Sequence, residues 1–105
     1  MIHLESREQF DQLINGKCIA MFSATWCRDC RFIEPHLPDI ASAHPDYAFV
    51  IVDRDRFLDL CQEYGIMGIP SFIVFKNGEI IGTFISKLRK TKEEILDFFD
   101  RVINQ

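Results

Sequence analysis

Two short runs, Cys18-Ile19-Ala20-Met21-Phe22 and Tyr47-Ala48-Phe49-Val50-Ile51-Val52, are apolar almost without interruption and show no alternation with polar residues. A strand with one wet face alternates, whereas a strand covered on both faces reads as a continuous apolar run. Helical patterns lie before, between and after them. Ser6-Arg7-Glu8-Gln9 has the form of a capping box, with Phe10, Leu13 and Ile14 following at helical spacing and Gly16 as a stop. Phe32, Ile33, Leu37, Ile40 and Ala41 make a second stripe, which Pro35 and Pro38 should kink or break. Phe57, Leu60, Cys61 and Tyr64 share a third face ending at Gly65. Then the period changes. Residues 71–75 and 79–85 flank Lys76-Asn77-Gly78, and Asn-Gly between two such runs signals a hairpin. A second capping box, Thr91 with Glu94, opens a last helix lined by Ile95, Phe98, Phe99 and Val102. The order predicted is α-β-α-β-α-β-β-α, with a short strand possible at residues 2–4. The fold class is α/β, a central mixed β-sheet with helices on both faces.

A chain of 105 residues, 48% apolar, suits one domain with a buried core, expected to span residues 1–105. The formal charge of -4 argues against general nucleic-acid binding, which wants a basic face. The N-terminus turns polar at once, unlike a signal peptide, and no apolar run approaches the length of a membrane span. These features lead to an expectation of a cytoplasmic, monomeric protein with no membrane or nucleic-acid partner. In the cytosol permanent disulfides are rare, so a Cys-x-x-Cys is more often catalytic or metal-binding than structural.

One such pair exists, in Thr25-Trp26-Cys27-Arg28-Asp29-Cys30-Arg31. It falls where a buried strand hands over to a helix. A helix N-terminus has unsatisfied N–H groups and a partial positive charge, both of which favour thiolate over thiol. Cys30 lies one turn on, within reach of a disulfide after small adjustments. The arrangement suits thiol–disulfide exchange, with attack by Cys27 and resolution by Cys30. Cys27 should be the more exposed thiol. A zinc site would want four ligands, and His3, His36 and His44 have no knuckle spacing to supply the rest. Cys18 and Cys61 fall on faces expected to be buried, where a free cysteine packs as a small hydrophobe. Ser86-Lys87-Leu88-Arg89-Lys90 is locally basic and reads as a solvated loop, with attraction of acidic clients or of a small thiol's carboxylates as the sharper reading.

Over nearly its whole length the chain resembles the thioredoxin family. "FSATWCRDCRFIEP" is similar to the family's active-site segment, and "YGIMGIPSFIVFKNG" to its second signature. The resemblance implies a thioredoxin-like fold and a thiol–disulfide oxidoreductase that reduces protein disulfides, or mixed disulfides between proteins and small thiols. It implies that Cys27 is the nucleophile and Cys30 the resolving thiol. Pro70, in cis, and the Ile69 backbone would form a shelf for an extended substrate, with Trp26 shielding one side. No cofactor or metal is implied, and a disulfide reductase would recharge the pair. Arg28 and Asp29 replace the family's Gly-Pro and would tune the site, Arg28 favouring the Cys27 thiolate and Asp29 opposing it. Met21 stands where the family has a buried acid, Ile51 where a lysine often accompanies it, Ser23 in place of a second tryptophan and Ser86 in place of a glycine. Without the acid, Cys30 is expected to lose its proton to water, or to Asp29 through water. The charged dipeptide is similar to that of small bacterial thioredoxin-like proteins. The alternative is a binding or redox-sensing module on the same fold, without turnover; a metal chaperone is a third class.

Overall fold

The computed structural model describes residues 1–104. Its strands are β1 (Ile2–His3), β2 (Lys17–Ser23), β3 (Ala48–Asp53), β4 (Ser71–Lys76) and β5 (Glu79–Phe84). They form one mixed sheet in the order β1-β3-β2-β4-β5. β3 runs parallel to both β1 and β2, whereas β4 is antiparallel to β2 and to β5. The helices are α1 (Arg7–Ile14), α2 (Arg28–Ile33), α3 (Leu37–Ser42), α4 (Leu58–Glu63) and α5 (Lys92–Ile103).

Both faces of the sheet are covered, which accounts for the unalternating runs. Cys18, Ala20 and Phe22 of β2 pack with Phe10 of α1 and Leu60 and Cys61 of α4. The intervening Ile19 and Met21 pack on the other side with Ile33, Leu37, Ile40, Phe98 and Phe99 from α2, α3 and α5. Side chains alternate across a strand, so each core takes every second residue of β2.

The expected break between α2 and α3 is a 3-10 turn at Glu34–His36. Pro35 lies in the first turn of that segment and Pro38 in the first turn of α3, where a missing N–H is harmless. At the hairpin, Asn77 and Gly78 have φ of 55° and 85°, the two left-handed positions a tight primed turn requires. The Thr91/Glu94 box closes in both directions at α5. At α1 the box is only half as expected. Ser6 accepts from the Gln9 N–H at 3.1 Å, but the Gln9 side chain accepts from Glu5 N–H rather than from Ser6.

β2 and β4 are adjacent and antiparallel, so the end of one lies beside the start of the other. The segment leaving β2 and the segment entering β4 therefore meet at one end of these two central strands. The first carries Cys27 and Cys30, the second Ile69 and Pro70.

Candidate active site

Cys27 is the N-cap of α2, with extended backbone at φ -79°, ψ 118°. An N-cap side chain accepts from the first helical N–H groups. Here the acceptor is the Cys27 sulfur, and the Cys30 N–H donates to it at 3.1 Å. On its other side the Cys27 thiol faces the carbonyl of Ile69 at 3.7 Å. The Ile69–Pro70 peptide bond is cis. Both cysteines are free thiols, packed in one small cluster with Ala24 and Ile69.

The expected contrast in exposure is small, with Cys27 6% and Cys30 4% accessible. Ala24 and Ile69 pack in one cluster with the two cysteines, Ile69 from a segment distant in sequence. Burial pushes the Cys30 thiol up to about 11, and a side-chain hydrogen bond with Cys27 acts in the same direction.

Trp26 is 57% exposed, and its indole N–H donates to the Asp55 carboxyl at 2.8 Å. The Arg54 guanidinium lies 5.8 Å from the ring centre. Arg28 is exposed at the first position of α2. Asp29 is not a free neighbour of the thiols. Arg89 Nε donates to its carboxyl at 2.8 Å, while the same guanidinium stacks over Phe32 at 4.3 Å. The Arg89 guanidinium thus offsets part of the Asp29 charge expected to oppose the Cys27 thiolate.

The basic segment is also less solvated than its composition suggests. Lys90 is 1% exposed, and its ammonium donates to the carbonyls of Ser86 and Leu88 at 3.2 and 3.0 Å. It thereby ties the segment to itself from beneath. Gly68 fits against the same segment, since a Cβ there would stand 2.6 Å from Lys87 Cα and collide with the Ser86 carbonyl. The segment is thus a wall of the site. Composition pointed to solvent because a lysine that caps backbone carbonyls looks like any other lysine in sequence.

Ser23, noted in sequence only as a departure, is a further member. Ser23 lines the same cleft as Cys30, and its side chain acts to favour the Cys30 thiolate against the effect of burial. Met21 and Ile51 are register partners across β2 and β3, as are Ser23 and Asp53, and all four line one cleft with Cys30. Only the strand pairing reveals that neighbourhood. Among the described residues no group of histidine, cysteine and carboxylate side chains is placed to hold a metal ion. No helix among them is long and apolar enough to cross a membrane.

The family model of thioredoxin matches residues 1–101. The chain belongs to the thioredoxin family. It is 37% identical over 84 residues to mitochondrial thioredoxin-3 of Saccharomyces cerevisiae, a match covering 78% of this chain and 66% of that protein. A thioredoxin H3 of Arabidopsis thaliana is 41% identical over 75 residues, covering 71% of this chain and 61% of the relative. The chain thus spans slightly less than two thirds of either of these relatives. A thioredoxin of Mycoplasmoides gallisepticum is 32% identical over 94 residues, covering 88% of this chain and 94% of that one. Among solved structures, oxidised mitochondrial thioredoxin 3 of S. cerevisiae superposes with a TM-score of 0.80 at 29% identity, covering 100% of this chain and 95% of that one. A chain from a study of thiol resolution in a yeast mitochondrial 1-Cys peroxiredoxin via glutathione/thioredoxin systems gives 0.80 at 28%, with coverage of 100% and 95%.

Proposed function

We propose that this chain is a thiol–disulfide oxidoreductase of the thioredoxin type, acting through Cys27 and Cys30. The observation that carries the reading is the place of Cys27 Sγ, between the Cys30 N–H and the Ile69 carbonyl. A sulfur at a helix N-terminus is suited to nucleophilic attack, and a second thiol one turn on is suited to resolve the product. Cys27 attacks a client disulfide. Its bond to one client sulfur forms as the other leaves as thiolate. Cys30 then displaces the first client sulfur, and the chain is left with a Cys27–Cys30 disulfide. The client disulfide gains the two electrons the dithiol loses.

The Ile69–Pro70 shelf and Trp26 would border the client segment. Met67, 67% exposed, and Leu88, 75% exposed, add apolar surface from the two loops beside the thiols. Clients are protein disulfides or mixed disulfides of proteins with small thiols. Fold neighbours drawn from thioredoxin systems support that substrate class. The cycle requires a disulfide reductase to return the dithiol, and a monomer in a reducing cytosol completes the reading. A binding or sensing module without turnover would need neither a resolving thiol packed against the nucleophile nor a shelf beside it, so it is not favoured.

The deciding experiment is a pair of variants. Cys30→Ser should accumulate a stable adduct between Cys27 and a client disulfide, whereas Cys27→Ser should form none. Reduction of a protein disulfide with a chemical reductant should be lost in both. Turnover that survives Cys27→Ser, or preferential alkylation of Cys30 at neutral pH, would overturn the assignment.

A further inference from the structure

The resolving step asks the Cys30 thiol to release a proton in a buried place. The groups around it define where that proton can go. Asp29 is bound to Arg89, and the Lys90 ammonium is held by two backbone carbonyls. Met21 and Ile51, on the strand face beneath, are apolar and paired in register. Two residues further along that face stand Ser23 and Asp53, also paired in register. These two residues and Cys30 line a cleft of about 390 Å³, with His3 and Glu34 among its other walls. Ser23 and Asp53 are each partly exposed, so the cleft leads from the buried thiol toward solvent. The Asp53 carboxyl already accepts the Asp55 N–H at 2.9 Å, which fixes it at the end of β3.

We propose that Ser23 is a catalytic residue of the resolving step, its hydroxyl donating to the Cys30 sulfur while the Cys30 proton leaves through the cleft to the Asp53 carboxylate. The inference rests on the dithiol reading above. In the mixed disulfide the Cys30 S–H bond breaks and its proton passes by way of water to Asp53. The freed electron pair forms the Cys30–Cys27 bond. The Cys27–client bond breaks, and the client sulfur departs as thiolate and is protonated by solvent. Asp53 returns its proton to solvent once Cys30 is oxidised. A hydrogen bond to a charged sulfur contributes more than one between neutral partners, so the hydroxyl acts mainly when the thiolate forms. Placement at the strand end lets one small polar group serve a buried thiol without burying a carboxyl beneath it.

The test is stopped-flow reaction of the reduced protein with a symmetrical nitrobenzoate disulfide, held below the protein concentration. The first release of coloured thiolate reports attack by Cys27, and the second reports resolution by Cys30. Ser23→Ala should slow the second phase about tenfold, leave the first within about twofold, and move the pH dependence of the second phase upward. Ser23→Thr should retain the parent rate and profile. Asp53→Asn should slow the second phase by a smaller factor without changing the first. A second phase unchanged in folded Ser23→Ala, or slowed equally by Ser23→Thr, would overturn the role of the hydroxyl. A second phase unchanged in Asp53→Asn would overturn the proton route. Absence of any first phase in the parent protein would instead refute the dithiol reading itself.

Discussion

Cys18 and Cys30 show what burial does to a thiol in this fold. Burial pushes Cys18 up to about 12 and Cys30 up to about 11, the Cys27 side chain adding to the rise of Cys30 and the Ser23 side chain and Ala24 backbone opposing it. Both values exceed the ordinary 9.0, so the folded chain holds these protons more tightly than the unfolded chain does. The stability this supplies is intact below about pH 9 and is lost as the pH climbs toward 11 and 12, because the unfolded chain releases its thiol protons first. The urea midpoint should therefore fall between pH 8 and pH 11, and Cys18→Ala should fall less steeply than the parent over that range. Equal slopes would mean that other titrations, such as that of the raised Tyr64, account for the decline. Met21 gives the converse case. Met21→Asp would put a carboxyl on a site 1% exposed, beside apolar Ile51. It should lower stability by about 1–3 kcal/mol in urea denaturation. If the Ser23 route supplies resolution, it should not accelerate the second phase.

The loop that follows β5 gains its shape from partners that lie far away in sequence. Arg89 reaches Asp29 in the turn of the dithiol, and Gly68 leaves room for the Ser86–Lys87 backbone. Gly68→Ala should displace that wall, costing about 1–3 kcal/mol of stability and reducing turnover more than it reduces alkylation of Cys27. Equal turnover in a folded Gly68→Ala protein would show that the wall does not contact clients. This element also marks how far the sequence could be read. The covered strands, the hairpin, the Thr91 capping box, the Ser6 half of the first one and the strand–dithiol–helix order were legible, since each depends on local spacing and on residue types with narrow conformational preferences. The Arg89–Asp29 bridge, the buried Lys90 ammonium and the Ser23–Asp53 pair were not. The first is a side-chain bridge across 60 residues, the second a lysine turned onto carbonyls of its own loop, and the third a register between strands; no pattern of residue types encodes any of them.

At the scale of the molecule, a chain of formal charge -4 carries Arg28, Arg31 and Lys87 on segments around the thiols, and among the described residues these three make no ion pair. Cations on a net acidic protein should steer acidic client segments to the site. The attack rate on a peptide disulfide flanked by Asp and Glu should fall severalfold from low salt to about 0.5 M, where the Debye length is only a few ångströms. A basic peptide should show no such fall, and Arg28→Glu with Lys87→Glu should remove the preference. Equal salt dependence for both peptides would count against steering. The sheet has one more consequence. Cys18 and Cys61 belong to the core beneath α1 and α4, while Cys27 and Cys30 stand in a separate cluster at the strand ends. On the dithiol reading proposed above, the fold acts as an insulator between two pools of sulfur, one placed to cycle and one kept in reserve from exchange. Oxidative scrambling is thereby made conditional on unfolding, and a chain oxidised many times in its folded form keeps the thiols it needs to remain a single covalent species.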